Sequence, residues 1–193
     1  MDKGEERFEG FLRGALGSLA GLAAMGLFFR AAQALSNGRG GSNGRGAASD
    51  GHSEDFIERH EALDDISLVG QQAREEEPAT EAVGRMGYEA LTGHDPDAET
   101  LHRLGQAVHW GYGVLLGGLY GAMREEADGP DFVGGLGYGT AAWVLGDELM
   151  VPLLGLAEGP TAHAWTVHAR ALGAHLVYGA ATSSATHALK RVM

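Results

Sequence analysis

Four stretches of the chain are almost free of charged residues, and the segments between them are strongly polar. The apolar stretches cover residues 14–29, 106–123, 132–157 and 171–186, and only an acidic pair interrupts the third. They lack the polar stripe that a helix on the surface of a soluble bundle carries. Flanking residues extend each stretch to about the 20 residues that cross a bilayer, because charged side chains near a helix end can reach the interface. The pattern predicts four membrane-spanning helices.

These positions divide the chain into a membrane bundle and an insert. We predict an all-α, polytopic membrane protein, a four-transmembrane-helix bundle with a long polar, partly disordered insert between helices 1 and 2. Two alternatives remain: a soluble four-helix bundle, and a first helix that is a cleaved signal peptide ending near Ala34. The predicted regions are a lead and transmembrane helix 1 (1–35), a flexible Gly/Arg-rich and then acidic linker (36–77), an amphipathic helix and turn (78–98), and transmembrane helices 2–4 (99–193).

The net charge belongs to the insert. The 193-residue chain has a net charge of -12, yet Asp50–Thr100 holds 15 of its 26 acidic and 3 of its 14 basic residues, which alone gives -12. The rest of the chain therefore carries no net charge. Because the polar insert lowers the mean hydropathy of the whole chain, that average hides how apolar the rest is. An acidic chain argues against nucleic acid as a partner. The absence of cysteine from the sequence excludes disulfides and thiol catalysis.

Glycine is unusually frequent, with 32 copies. Many of these glycines are spaced by four residues, and Gly113, Gly117 and Gly121 form the longest such run in helix 2. Glycine destabilises helices in water but lets membrane helices approach closely. We expect this run to be a helix-packing face, within the bundle or toward a homo-oligomeric or other membrane partner.

Basic residues in the short loops predict the orientation. Lys3, Arg7, Arg124, Lys190 and Arg191 would share one side of the membrane, whereas the loop between helices 3 and 4 has no Lys or Arg. The positive-inside rule then places both termini in the cytoplasm of a multi-pass protein in the cell (inner) membrane, with the lipid bilayer as its main partner.

Ionisable residues inside the predicted spans need an explanation, because each is costly in a membrane. Asp147 and Glu148 lie in the third span, and Pro152 leaves the backbone carbonyl of Glu148 without its usual helical donor. His109 and His175 lie near the middle of the second and fourth spans. We expect these groups to meet at a similar depth, beside a kink at the proline.

Both histidines begin the same short pattern, H-x-x-Y-G, which adds Tyr112 and Tyr178 to the candidate cluster. A spacing of three places His and Tyr on one helix face. The cluster is interpreted as a proton-binding site, or alternatively as satisfied polar pairs that fix helix register. A metal site is a further alternative. No catalytic, cofactor-binding or metal-binding residue is assigned, and no cofactor is expected. His163 and His168 are set aside because a spacing of five takes them off a shared helical face.

Three blocks of this sequence resemble the YagU-like bacterial inner-membrane proteins, a family whose domain has no known function. They are A-V-H-W-G-Y-G from Ala107, W-V-L-G-D-E-L-M-V-P-L-L-G-L from Trp143, and G-A-H-L-V-Y-G from Gly173. The resemblance covers about residues 104–180, and the long insert departs from it. It implies a multi-pass inner-membrane protein, associated with acid resistance through one family member, without an established reaction or cofactor.

Overall fold

The computed structural model describes residues 2–39, 66–124 and 131–192, and within them it contains only helices, turns and extended connections. The all-α prediction is confirmed. The predictions for the Gly/Arg-rich linker and for most of the acidic insert, residues 40–65, lie outside the described residues. So does the predicted loop at residues 125–130.

Long helices form the bundle, and shorter ones lie at one of its ends. The helix that follows α4 is a π-helix, which we call the π segment. In chain order the elements are α1 (Lys3–Arg39), α2 (Ala79–Thr92), α3 (Ala98–Arg124), α4 (Phe132–Ala142), the π segment (Trp143–Met150), α5 (Val151–Leu153) and α6 (Trp165–Lys190).

Helix α1 begins earlier than the apolar pattern predicts, because the charged lead is itself helical. Glu5 and Glu6 lie in the first turn, where negative charge is favourable. One turn later, Arg13 pairs with Glu9 at 2.6 Å. At the start of α3, the Asp97 side chain accepts a hydrogen bond from the Thr100 N–H at 2.7 Å and thereby caps the helix.

The long helices run up and down. Gly14 of α1 lies against Gly121 of α3, whereas Leu22, two turns further along α1, lies against Gly113 of α3. These two helices are therefore antiparallel. The same reasoning makes α1 antiparallel to α6, and α4 antiparallel to α6, where Gly135 and Gly139 oppose successive turns of α6. Both ends of the described chain thus lie at the same end of the bundle, which we call the terminal end; the opposite one is the loop end.

Mainly small and polar residues lie between the helices of the bundle, and large apolar residues lie on its outer surface. Small or polar residues fill the helix contacts, among them Ser18, Thr182 and Ser183, all 5% exposed or less. Large apolar side chains instead cover the outer faces of the helices. These include Phe8, Leu12, Leu16, Leu19, Leu27, Leu115, Leu119, Met123, Phe132, Val133, Leu145, Leu149, Trp165 and Val167.

One helix among the described residues is long and apolar enough to cross a membrane, over Lys3–Leu35 of α1, and 28% of its most apolar window is buried. Composition separates it from the other long helices. The first turns of α3 carry Glu99, His102 and Arg103, and α6 is rich in His, Ser and Thr. Helix α4 is only 11 residues long before the backbone changes to a π-helix. Four separate spans are therefore a proposal, considered below.

An extended segment, residues 66–77, packs across the loop end, and we call it the strap. Its backbone binds the turn after α5: the Leu68 N–H donates to the Leu153 carbonyl at 2.9 Å, and the Gln72 N–H donates to the Gly155 carbonyl at 2.8 Å. Gly155 has a φ of 66° and leaves no room for a side chain against Gly70, so only glycine suits this position. The strap belongs to the segment predicted to be a flexible linker. Its hydrogen bonds to the turn after α5 show that this part of the segment is packed against the bundle.

Helix α2 packs beside the strap on the loop-end half of α3. Gly84 meets Leu104 and Gly105 of α3, and Ala82 is fully buried. The helix ends at Gly93, whose φ of 71° allows its N–H to reach the Glu89 carbonyl at 2.8 Å. A helix is therefore present where the amphipathic one is predicted, but its small residues pack on α3, whereas Val83, Met86 and Leu91 are exposed.

Candidate functional site

The π segment positions the two carboxylates predicted to lie at mid-depth. Its widened hydrogen bonding is visible at the C-terminal end, where the Val151 N–H reaches back to the Gly146 carbonyl, five residues earlier. Pro152 follows directly and is buried in α5. A proline removes one helical donor, and here the backbone accommodates it with a π-helix next to the proline. Such π segments recur at functional sites in other proteins.

Asp147 faces His175 of α6. The Nε2 atom of His175 lies 3.6 Å from Oδ2 of Asp147. The other ring nitrogen, Nδ1, lies 2.9 Å from the Ala171 carbonyl, which can only accept a hydrogen bond. Nδ1 therefore carries a proton, which leaves Nε2 facing the carboxylate. At 3.6 Å the two atoms form an ion-pair contact slightly longer than a hydrogen bond, and the Asp147 side chain is 46% exposed.

Glu148 has a different partner from the one predicted. Its Oε1 lies 2.6 Å from Nδ1 of His168, and both side chains are largely buried, with 17% and 20% exposed. The prediction that both carboxylates meet His109 and His175 together is corrected: neighbouring residues on a helix point in different directions, so each carboxylate meets its own histidine. We call Asp147–His175 and Glu148–His168 the two His–carboxylate pairs.

The prediction that excluded His168, because of its five-residue spacing from His163, is wrong. His163 lies in the turn before α6, so helical spacing does not apply to it, and its ring lies 6.3 Å from that of His168. The informative spacing is the one from His168 to His175. Seven residues are almost two helical turns, which places both histidines on the face of α6 that meets the π segment.

Helix α3 brings His109 and Tyr112 to the first pair. His109 interacts electrostatically with both Asp147 and His175, and Tyr112 interacts with Asp147. The Tyr112 hydroxyl lies beside Gly146, where an added Cβ atom would be 3.0 Å from the oxygen. Three of the predicted residues, His109, Tyr112 and His175, therefore surround Asp147, and Gly146 leaves room for the Tyr112 phenol.

Tyr178 does not contact the His–carboxylate pairs; it belongs to a separate group of buried tyrosines. Its hydroxyl donates to the Gly113 carbonyl at 2.6 Å and accepts from Tyr138 at 2.8 Å. Tyr120 stacks on Tyr138, with ring centroids 4.6 Å apart, and donates to Ser183. The sequence pattern does not predict this tyrosine group, because its members come from three different helices.

The predicted glycine run lies at the contact between α1 and α3. A Cβ atom added at Gly117 would be 2.8 Å from the Gly14 carbonyl oxygen, and one at Gly121 would be 2.7 Å from the Cα of Gly14. At Gly113 an added Cβ atom would meet a methyl group of Leu22 at 2.6 Å. At Gly117 and Gly121 the close atoms belong to the backbone, so these two positions need glycine for this packing, whereas at Gly113 the Leu22 side chain can move.

The described residues offer no group of three or more His, Asp or Glu side chains that could hold a metal ion. Glu148 meets one histidine, and Asp147 meets His175 with His109 nearby. Imidazole is the side chain best suited to exchanging protons near neutral pH, so proton binding is the candidate chemistry of this arrangement.

No protein-family model, curated protein or solved structure matches this chain. The resemblance to the YagU-like proteins therefore stays a prediction from the three sequence blocks.

Proposed function

We propose that this protein is a multi-pass inner-membrane protein whose two His–carboxylate pairs bind protons as part of an acid response. The observation that carries the proposal is the pairing of adjacent carboxylates, Asp147 and Glu148, with two histidines of one neighbouring helix. Imidazole changes charge in the mildly acidic range, and burial can raise the pKa of a carboxylate toward that range.

The membrane setting is supported by the distribution of side chains. Helices that meet through glycine, serine and threonine while exposing leucine and phenylalanine are typical of a lipid environment, where small residues allow close packing and apolar residues face the acyl chains. In water this surface would be an aggregation liability. Helices α3 and α6, of 27 and 26 residues, are long enough to span a bilayer once packed against α1.

The orientation follows from the terminal end of the bundle. Lys3, Arg7, Arg124, Lys190 and Arg191 come from the helix ends located there. The positive-inside rule favours this end as the cytoplasmic one. The strap and α2 would then lie on the outer side of the membrane, where external acid arrives first.

The test compares conservative substitutions in cells and in purified protein. Asp147→Asn and Glu148→Gln should lower acid survival and reduce the protons taken up when the protein in detergent is shifted from pH 7 to pH 5. Glu158→Gln, in the exposed loop after α5, is the matched control and should behave as wild type. If both pair variants insert into the membrane and match wild type in survival and proton uptake, the pairs are structural and the proposal is wrong.

A structural or assembly role without chemistry is the second candidate, and the close contact of α1 with α3 favours it. In that case Gly117→Leu would disrupt the α1–α3 contact and any assembly that depends on it, whereas Asp147→Asn would have no effect on survival. A membrane metalloenzyme is the third candidate. Stoichiometric metal in the purified protein would support it over the proton-binding proposal.

A further inference from the structure

We propose that the strap is an acid-released latch, held at neutral pH by a buried ion pair between Glu77 and Arg85 and freed when Glu77 is protonated. This inference deepens the proposed acid response, because the strap binds the turn that follows the π segment. Its test reads the motion of the strap and does not depend on proton uptake by the two His–carboxylate pairs.

The ion pair is the main side-chain anchor of the strap. Arg85 of α2 binds Glu77 with two hydrogen bonds, Nε to Oε1 at 2.8 Å and Nη2 to Oε2 at 2.9 Å. The two side chains are only 8% and 5% exposed. The same guanidinium donates to the Gln72 carbonyl of the strap at 2.7 Å. Arg85 therefore fixes both the middle and the end of the strap to α2.

Charged groups of α2 and the strap form a network around this anchor. Glu89 of α2 accepts from Arg85 at 3.3 Å and from Arg74 of the strap at 3.1 Å, and Arg74 also pairs with Asp95 at 3.0 Å. From α3, His102 faces Glu81 of α2 at 3.4 Å, outside this network.

On its other side, the strap packs against residues 151–157, which contain no titratable side chain. The carboxylates of Glu77, Glu89 and Asp95 therefore determine how the anchor responds to acid.

The direction of that response follows from the pairing. The hydrogen bonds and charge of Arg85 lower the pKa of Glu77 below its ordinary value of 4.5. The pair is therefore intact at neutral pH and breaks only in strong acid. Breaking it leaves Arg85 buried without its bidentate partner, an unfavourable state that outward movement of the strap relieves.

The release would have a local structural consequence. The strap forms one wall of an apolar groove of about 390 Å³ that also involves Val83 and Met86 of α2 and Leu154 and Leu156 after α5. Leu156 is only 6% exposed with the strap in place. Removing the strap would expose this leucine and free the backbone groups of Leu153 and Gly155. The end of the π segment would lose its outer support.

The experiment uses a nitroxide spin label, and the absence of cysteine from the sequence makes single labelling straightforward. A label on Leu68→Cys reports the strap, because this side chain is 79% exposed while its N–H is bound to Leu153. A label on Leu115→Cys, 51% exposed on α3, reports the bundle. Both proteins are labelled at pH 7 as full-length chains in detergent and then titrated to pH 3.

We expect the mobile fraction of the Leu68 label to rise at least threefold, with its midpoint below pH 4.5, while the Leu115 label does not change. Glu77→Gln should mobilise the Leu68 label already at pH 7. Glu81→Gln changes a carboxylate of α2 that lies outside the Arg85 network, and it should not mobilise the label. The proposal is overturned if the strap label stays immobile at pH 3, or if both labels loosen together, because the whole bundle then unfolds instead.

Discussion

Two glycines of α3 that face opposite environments provide a quantitative test of the packing. A Cβ atom at Gly117 would lie 2.8 Å from the Gly14 carbonyl oxygen and even closer to the Cβ of Ser18. Neither atom is the end of a flexible side chain, so α1 must move away by roughly 1 Å to restore ordinary contact distances of about 3.5 Å. An added Cβ atom at Gly111, on the outer face, has no atom within 4 Å outside its own helix.

The two alanine substitutions should therefore change stability in opposite directions. Overpacking costs about 1–3 kcal/mol, so Gly117→Ala should destabilise the bundle by that amount. Gly111→Ala places the better helix former in open space and should stabilise by up to about 1 kcal/mol. The two variants, which add the same methyl group to the same helix, should differ by about 1–4 kcal/mol, at least about fivefold in the unfolding equilibrium constant.

The assay is unfolding by sodium dodecyl sulfate from a mild detergent, followed by far-ultraviolet circular dichroism at pH 7. Wild type, Gly111→Ala and Gly117→Ala are compared under the same conditions. A Gly117→Ala variant as stable as Gly111→Ala would refute the close approach of α1 and α3, and with it the assignment of the glycine run to this contact.

Three further perturbations test other parts of the structure. Tyr178→Phe leaves the Gly113 carbonyl without its buried donor and should destabilise by about 1–3 kcal/mol in the same detergent unfolding assay, where an unchanged midpoint would contradict the hydrogen bond. Gly155→Ala meets the strap at a positive φ and should speed proteolysis of the strap while the bundle stays intact; wild-type cleavage rates would argue against the contact. Arg85 lowers the pKa of Glu77, so this pair stabilises the fold above about pH 4.5 and the contribution is lost as pH falls through the lower folded-state pKa; Glu77→Gln should remove that part of the acid dependence of the unfolding free energy, and identical wild-type and mutant pH profiles would contradict it.

Local sequence signals predicted the helices well. The charge-free stretches predicted each long helix, and the spacing of Gly113, Gly117 and Gly121 predicted a packing face. These features depend on neighbours within a few turns of the same helix, and such neighbours can be read directly from the sequence.

The partners of the site residues could not be predicted in the same way. Glu148 meets His168 because α6 runs antiparallel to the π segment, and the π-helix changes the direction in which successive side chains point. Tyr178 donates to the Gly113 carbonyl of α3 and does not contact the His–carboxylate pairs, and this acceptor is 65 residues away in the sequence. The strap resembles a linker in composition, and its contacts with the turn at Gly155 and with Arg85 of α2 hold it in place. Each of these features depends on residues distant in sequence.

The central claim is that the bundle spans the inner membrane with its terminal end in the cytoplasm. The most direct measurement is labelling of single cysteines in intact bacterial cells by a membrane-impermeant maleimide. Asp2→Cys lies at the terminal end and Glu158→Cys at the loop end, and both positions are exposed. We expect Glu158→Cys to be labelled in intact cells and Asp2→Cys to be labelled only after permeabilisation. Both proteins should stay in the membrane fraction. Protein in the soluble fraction, with both positions labelled only after lysis, would contradict the central claim.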